Sequence, residues 1–225
     1  MSHWLLDIRR RHWRRQVEDE AYAGLLDVEL PPKRTAFEEL ELVCLDLETT
    51  GLDVETAEIL SIGWVLIRRN RVDLSTAAHL LVRPAGFVGD SATVHGMTDS
   101  HVAGGVDIGE AIGALVRVLK GRCLVVHHAP LDHVLLDREF RRCFGAPVPV
   151  PVVDTLALEH RRRARAHHLD TDESLRLGDL RRAYGLPWYT GHDALADALA
   201  TAELLLAMVA RHGGAARTRL ADLLK

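Results

Sequence analysis

A pair of acidic residues that could hold a metal ion follows one long apolar run near the start of the chain. Asp46 and Glu48 lie near the end of LVCLDLETTG. In a β-strand, residues two apart point to the same face, so this spacing brings two carboxylates together. Like charges this close repel one another unless a cation lies between them. Of four D-x-E pairs, only this one directly follows a run long enough for a central strand, although a solvated strand end also explains such a pair.

Asp132 is an acid within an apolar helical pattern. Its spacing from Leu135, Leu136 and Phe140 places all four side chains on one face of a helix predicted over 131–144. The helix dipole favours an acid in the first turn, which explains the turn but not the apolar face. A structural role and a metal-binding role therefore both stay open for Asp132.

His192 and Asp197 lie at the start of another predicted helix, in GHDALADALATAELLL. Asp197 borders the apolar stripe of that helix, while Asp193 is predicted to be its N-cap. His192 and Asp197 are five residues apart, which is about 140° around an ideal helix. The two side chains can therefore meet at one site only if His192 lies in the loop that enters the helix.

These four acids and the histidine all lie at the end of a predicted strand or at the start of a predicted helix, so they can converge at the carboxyl edge of one sheet. Carboxylate oxygens without cysteine are hard ligands, which suit Mg²⁺ or Mn²⁺ rather than structural zinc. Two such ions about 3.5–4 Å apart are the usual arrangement for displacement at a phosphodiester. The pattern therefore suits the binding of such divalent cations.

The elements that must position these residues follow from the hydrophobic pattern. Three strands joined by short turns come first, and strands then alternate with helices, which predicts a mixed five-stranded α/β sheet with helices on both faces. The predicted strands are 40–48, 59–67, a third that ends near 82, 124–127 and 150–153. The predicted helices are 108–119, 131–144, one from about 155, 175–184, 194–211 and 215–224.

Residues 1–35 differ in composition from the rest of the chain. They carry a cluster of arginines, then an acidic run, and they end at Pro31-Pro32, which is typical of a helix stop and a linker. We expect an N-terminal helical extension over 1–35, with one amphipathic helix at roughly 3–24, and a second domain over 36–225.

Composition excludes several classes of protein. The chain has 225 residues, of which 48% are hydrophobic and 27% charged, with a net charge of −4; these values are ordinary for a globular protein. No apolar run approaches the roughly 18 residues of a membrane-spanning helix, and the N-terminus lacks a signal-peptide core. The three widely spaced cysteines favour buried thiols in a reducing compartment. A cytoplasmic protein without a membrane partner is expected.

The order of these motifs resembles a known family. D-L-E, then H-H-A-P-L-D, then H-D-A-L-A-D is similar to the three motifs of the DEDDh 3′–5′ exonucleases, and most similar to the proofreading (epsilon) subunit of bacterial DNA polymerase III. The similarity runs from about Leu40 to Arg211 and includes SIGWVLI, VHGMTD, VVDTLALEH and LGDLRRAYGLP. It implies a ribonuclease H-like fold and hydrolysis of nucleic acid from the 3′ end, with release of nucleoside 5′-monophosphates.

The resemblance also implies a role for each acid. Asp46 would bridge two Mg²⁺ or Mn²⁺ ions, with Glu48 and Asp197 completing the first ion's site. Asp132 would serve the second ion, partly through water. His192 would be the general base that removes a proton from the attacking water, for which it must be neutral.

Substrate contacts are implied in the same way. Backbone N–H groups of Thr49, Thr50 and Gly51 would approach the terminal nucleotide, and Leu52 would wedge against its base. His95 resembles the family's H-G-I element beside the terminal sugar. The second motif departs from the family pattern, because His128 replaces its asparagine and Leu131 its phenylalanine, which alters the nucleotide pocket without removing a metal ligand.

Partners are only partly indicated by the sequence. We expect the 3′ end of single-stranded or mismatched DNA as the substrate. RNA trimming, as in an oligoribonuclease, and a catalytically silent nucleic-acid-binding module are the alternatives. The net charge of −4 does not indicate a broad basic surface, so contacts with the strand would be local. Docking to a DNA polymerase stays unproven, and the oligomeric state is not indicated.

Overall fold

The computed structural model describes residues 3–84, 104–165 and 174–224. Its centre is a five-stranded sheet in the order β3-β2-β1-β4-β5. The strands are β1 (Glu41–Thr49), β2 (Ile59–Arg68), β3 (Arg71–Leu81), β4 (Cys123–Val126) and β5 (Val152–Asp154). The pairs β1–β2 and β2–β3 are antiparallel, while β1–β4 and β4–β5 are parallel. The predicted mixed sheet is therefore confirmed, three antiparallel strands first and the parallel strands after them.

Eight α-helices and one short 3-10 helix occur within the described ranges. The α-helices are α1 (His3–Arg14), α2 (Glu20–Asp27), α3 (Ile108–Leu119), α4 (Ala129–Phe144), α5 (Thr155–Arg165), α6 (Leu177–Ala183), α7 (Ala194–Arg211) and α8 (Leu220–Leu223). The last helix is shorter than the predicted 215–224, because residues 212–219 form turns and a bridge instead. No helix in these ranges is long and apolar enough to cross a bilayer.

Alternation along β1 divides the core between the two faces of the sheet. Val43, Leu45 and Leu47 belong to the cluster that contains the apolar faces of α2, α3 and α4. Leu42 and Cys44 belong to the cluster that contains the buried face of α7. Because side chains of a strand point alternately to opposite faces, positions 46 and 48 of β1 lie on the α7 face. Helices cover both faces of the sheet, as predicted.

The N-terminal segment departs from the prediction of one helix over 3–24. The first helix ends at Arg14, and a second begins at Glu20 with Asp19 as its N-cap. An aspartate N-cap of this kind satisfies a free N–H at the start of a new helix. The acidic run at 18–20 therefore separates two helices. Periodicity alone did not reveal that break.

Both N-terminal helices pack against the sheet domain. Tyr22 and Leu25 are fully buried in the same cluster as Val43 of β1. The Tyr22 hydroxyl donates to the carbonyl of Pro147 at 2.6 Å. The buried Arg10 guanidinium donates to the carbonyls of Pro149 and of three residues at the end of α2. The boundary at residue 35 stays a prediction, and across it the described helices share one core with β1.

Candidate active site

Three carboxylates converge where β1 meets α7. Asp46 and Glu48 lie on the α7 face of β1, two and four residues beyond Cys44. Asp197 lies in the first turn of α7. One ligand oxygen from each of Asp46, Glu48 and Asp197 lies within 4.8 Å of the others. A cluster of hard oxygen donors at this separation can hold a divalent cation.

Gly63 makes this convergence possible. It lies opposite Asp46 on the neighbouring strand β2. A Cβ atom on Gly63 would lie 2.2 Å from the backbone of Ala194 and Leu195, at the start of α7. The first turn of α7 therefore lies directly on the sheet, as only glycine permits. The close approach places Asp197, one turn further on, beside the β1 carboxylates.

His192 lies in the loop before α7, as its spacing from Asp197 required. Its backbone has φ +71°, a left-handed conformation that is uncommon for residues other than glycine. The His192 N–H donates to Asp197 Oδ2 at 2.9 Å, and Asp193 caps α7 by accepting from the Ala196 N–H. The turn therefore fixes the imidazole-bearing residue directly beside one carboxylate of the cluster.

A buried arginine holds the loop that leads to His192. Arg181 of α6 donates to the carbonyls of Ala200 and Pro187 at 2.8 and 3.0 Å. It also pairs with Glu203 at 2.8 Å and lies 4.3 Å from the centroid of the Tyr189 ring. Pro187 and Tyr189 precede His192 in the loop, so this network links the loop to α6 and α7.

Asp132 approaches the cluster from the other face of the sheet. It lies in the first turn of α4 and is 4% exposed, which confirms its predicted place on the apolar face. It is not among the three carboxylates whose ligand oxygens lie within 4.8 Å of one another. Its charge nevertheless raises the pKa of Asp46, so the two carboxylates lie within electrostatic reach.

Asp154 fixes the start of α4. Its carboxylate accepts the N–H groups of His128 and Ala129 at 3.1 and 2.9 Å. It also accepts the N–H groups of Leu156 and Ala157 at the start of α5. His128 itself has φ +81°. One carboxylate thus joins two helix starts, which is a structural role.

The titration of the cluster reflects the crowding of its charges. Burial raises the pKa of Asp46 well above its ordinary value, and the neighbouring charges of Asp132, Asp197 and Glu48 raise it further. Burial, together with Asp197, Asp193 and Asp132, raises the pKa of Glu48 to about 8. Burial also raises the pKa values of Asp132 and Asp197. Negative charges held together in this way favour a bound cation or a proton.

The turn after β1 is exposed and partly engaged within the protein. Leu52 is 83% exposed, whereas Thr49 is buried and donates its hydroxyl to the carbonyl of Gly51 at 2.7 Å. The Thr50 N–H donates to the carbonyl of Glu58 at 2.9 Å. The turn itself therefore uses this N–H, and the contact of residues 49–51 with a terminal nucleotide stays a prediction. His95, the remaining predicted contact, lies outside the described residues.

A cavity of about 570 Å³ opens beside the cluster. Asp46, His192 and Asp197 contribute to its lining, as does His127 at the end of β4. Both ring nitrogens of His127 are engaged, with the Thr155 hydroxyl at 2.8 Å and the Leu175 carbonyl at 3.0 Å. His127 is therefore held as a structural group, and His192 is the histidine beside the carboxylates.

Sequence reasoning missed two positioning residues. A glycine inside a strand often marks a close backbone approach, and this signal was present at Gly63. Arg181 gave no such signal, because its partners Ala200 and Glu203 lie on another helix. Its importance depends on packing that a helical pattern does not show.

Comparisons with known proteins agree with this geometry. The profile of the exonuclease family RNase_T matches residues 43–205. The DNA polymerase III subunit epsilon of Treponema pallidum is 29% identical over 175 residues, 78% of this chain and 79% of that protein. A PolC-type DNA polymerase III of Thermotoga petrophila is 31% identical over 178 residues, again 78% of this chain. The chain spans only 12% of that PolC-type polymerase.

The fold is also found in solved structures. Exonuclease I of E. coli, in complex with a 5cy-dT13 oligonucleotide, superposes with a TM-score of 0.67 at 18% identity. The match covers 82% of this chain and 42% of Exonuclease I, which shows a shared fold. The family profile covers well over half of the chain, from β1 through most of α7. The chain therefore belongs to the RNase_T exonuclease family.

Proposed function

We propose that this protein is a metal-dependent 3′–5′ exonuclease that releases nucleoside 5′-monophosphates from the 3′ end of single-stranded or mismatched DNA. The observation that carries the proposal is the convergence of Asp46, Glu48 and Asp197, with ligand oxygens within 4.8 Å of one another. The family profile, and the polymerase III relatives named above, support the exonuclease reaction. The oligonucleotide bound to E. coli Exonuclease I supports DNA as the substrate.

The carboxylates fit a pair of Mg²⁺ or Mn²⁺ ions. Their donor set is oxygen only, and burial together with the neighbouring acids raises the pKa of Glu48 to about 8, so a bound cation would offset a charge repulsion already present in the protein. Asp46, Glu48 and Asp197 would hold one ion, and Asp46 with Asp132 the other. When bound, such ions lower the pKa of water and stabilise charge on phosphoryl oxygens.

His192 is the residue that we assign to proton transfer. Its left-handed backbone and its N–H bond to Asp197 keep it at the mouth of the cluster. A neutral imidazole there can accept a proton from the attacking water. Leu52, 83% exposed after β1, is assigned to the terminal base, and the turn of Thr49, Thr50 and Gly51 supports Leu52.

A time course on matched DNA and RNA oligonucleotides tests the function. With Mg²⁺, a 5′-labelled single-stranded DNA should shorten one nucleotide at a time, and a 3′-labelled strand should release labelled mononucleotide first. EDTA should abolish both signals, and Mg²⁺ or Mn²⁺ should restore them. Faster turnover of RNA than of DNA would reassign the substrate, and cleavage that resists EDTA would refute the metal-dependent reaction.

A further inference from the structure

The cavity beside the carboxylates continues beyond them. Asp46, His192 and Asp197 form one part of its lining, and Arg176, Gly178 and Trp188 contribute to another part. Its volume of about 570 Å³ lies within the range of small-molecule sites. Leu52, which we assign to the terminal base, is not among the described residues that line it, and neither is the turn of residues 49–51. The cavity therefore extends toward a different part of a bound strand.

Trp188 is an exposed aromatic ring with a fixed position. It is 66% exposed, so its ring contributes little to the core. A Cβ on Gly178 would lie 2.9 Å from the indole, which shows that the ring rests directly on the start of α6. The Arg182 guanidinium lies 5.6 Å from the ring centroid. The ring is thus held by α6 while much of its surface stays open to solvent.

Arg176 supplies a positive charge to the same cavity. It precedes α6, its side chain is exposed, and its backbone N–H donates to Ser174 Oγ. Within the described ranges its guanidinium makes no hydrogen bond or ion pair. Arg181, which lines the same cavity, instead donates hydrogen bonds to Glu203 and to two carbonyls. Among the described residues that line the cavity, Arg176 is therefore the arginine that we expect to meet an anion.

A largely exposed aromatic ring together with an exposed guanidinium is the chemistry that binds one nucleotide. Aromatic rings stack on unpaired bases of any sequence, and arginine pairs with phosphate oxygens through its planar fork. We propose that Trp188 and Arg176 form a subsite for the nucleotide on the 5′ side of the scissile phosphodiester, with its base on Trp188 and its phosphate at Arg176. This inference rests on the exonuclease function proposed above.

The subsite specifies the substrate class more closely. A base can lie on the Trp188 ring only when it is unpaired, because a paired base has its faces stacked in the duplex. Stacking is tolerant of sequence. The enzyme should therefore require single-stranded character on both sides of the bond it cleaves, with little preference among the four bases.

Steady-state kinetics on single-stranded oligothymidylate test the subsite. Trp188→Ala should raise KM by between about 5-fold and 150-fold, the range measured for loss of one stacked base, with kcat little changed because uniform binding is removed. Trp188→Phe should recover most of the loss, since it keeps an aromatic face. Trp4→Ala is the matched control: Trp4 is also 66% exposed but lies on α1, and its replacement should leave KM unchanged.

A substrate without the upstream nucleotide separates binding from structure. The p-nitrophenyl ester of thymidine 5′-monophosphate carries nitrophenol in place of the nucleoside on the 5′ side. Wild type, Trp188→Ala and Arg176→Ala should hydrolyse it equally, although the two variants bind oligothymidylate more weakly. Arg217→Ala, an exposed arginine near the other end of α7, should match wild type on both substrates.

Two outcomes would overturn the subsite. Equal KM values for Trp188→Ala and wild type on oligothymidylate would show that no base stacks there. Equal losses on oligothymidylate and on the ester would show that Trp188 only supports the loop before His192. In both cases wild-type activity with Mg²⁺ would leave the exonuclease function standing, whereas an inactive wild type would overturn that function itself.

Discussion

The protein buries carboxylates in two regions, and the two regions treat them oppositely. Glu159 of α5 is almost fully buried, yet it accepts hydrogen bonds from Arg162, Arg163 and the Tyr184 hydroxyl. Burial alone raises the pKa of Glu159, but these bonds outweigh it and lower the pKa to about 2. At the sheet edge, burial and neighbouring acids act in the same direction and raise the pKa of Glu48 to about 8.

The difference shows that burial does not decide what a carboxylate does. Around Glu159 the surrounding groups are donors and cations, so the charged form is satisfied within the protein and joins α5 to Tyr184. Around Asp46 the charges that shift its pKa are other acids. A cation that balances these charges must therefore come from outside the chain. Removing a buried acid that balances buried arginines destabilises the fold, whereas a buried acid whose charge is not balanced indicates a functional site.

The largest expected effect comes from the carboxylate cluster at the sheet edge. Asp46→Asn should lower kcat by about 10³-fold or more, because the shared ligand of the proposed ions is lost. Without metal, the same change should leave the melting temperature unchanged or raise it, since it removes one of several crowded negative charges. Nuclease assays and thermal unfolding in EDTA measure the two effects.

Asp27→Asn is the matched control for this variant. Asp27 also begins a D-x-E sequence, but it is exposed at the end of α2 and pairs with Arg14 at 2.7 Å. It should change neither kcat nor the melting temperature appreciably. Wild-type turnover by Asp46→Asn would contradict the assignment of the site, and a large fall in its melting temperature would contradict the account of crowded charges.

The region around Glu159, whose carboxylate is paired with arginines, should respond in the opposite way, with a loss of stability and little loss of activity. Glu159→Gln leaves the buried Arg163 and its neighbour Arg162 without their shared carboxylate, which should destabilise the fold by about 3 kcal/mol. Values of kcat and KM measured well below the melting temperature should stay close to wild type, because α5 carries none of the proposed site residues. Denaturant unfolding and the oligonucleotide assay test the pair of expectations, and a loss of activity without a loss of stability would contradict them.

Much of the candidate site could be predicted because its signals are local. The alternation of β1 placed Asp46 and Glu48 on one face, and the helical spacing of Asp132 placed it on a buried face. The angular argument placed His192 in a loop before α7. Each of these inferences needs only the geometry of one element and the residues next to it, which the sequence shows directly.

The rest could not be predicted because it depends on contacts between distant segments. The break between α1 and α2 is stabilised by Arg10, whose partners include the carbonyl of Pro149, and nothing near Arg10 indicates that contact. The hydrogen bond from the Thr50 N–H to the carbonyl of Glu58 could not be foreseen either, because it depends on how the turn folds back. Gly63 gave a local signal, but its partner at Ala194 lies on a helix far along the chain.

Gly63 sharpens the comparison because it sets how closely the acids are crowded. In Gly63→Ala the added methyl group would overlap the backbone at Ala194, so α7 must move away from the sheet. Overpacking of this kind costs about 1–3 kcal/mol of unfolding free energy, and displacement of Asp197 should lower kcat by about 10-fold to 100-fold.

Mg²⁺ titration of Gly63→Ala should show weaker binding than wild type, since the carboxylates lie further apart. Ala196→Gly is a useful control in the same helix turn, because it lowers stability through helix propensity by about 1 kcal/mol without adding bulk against the sheet. Equal kcat in Gly63→Ala and wild type would show that α7 tolerates the methyl group without moving Asp197.

The smallest expected effect is a difference in how stability depends on pH. Folding raises the pKa of Glu48 from 4.5 to about 8. The contribution of Glu48 to the free energy of unfolding is therefore fully present below about pH 4.5 and is lost as the pH rises through 8. Glu159, lowered from 4.5 to about 2, contributes above pH 4.5 and loses that contribution as the pH falls toward 2. In EDTA, Glu48→Gln should therefore flatten the fall of the melting temperature between pH 5 and 8, while Glu55→Gln, exposed in the next turn, should leave that fall unchanged.

Mg²⁺ should raise the wild-type melting temperature more at pH 8 than at pH 5, because protons compete for the same carboxylates. An equal rise at both pH values would contradict the crowding of charges at the sheet edge.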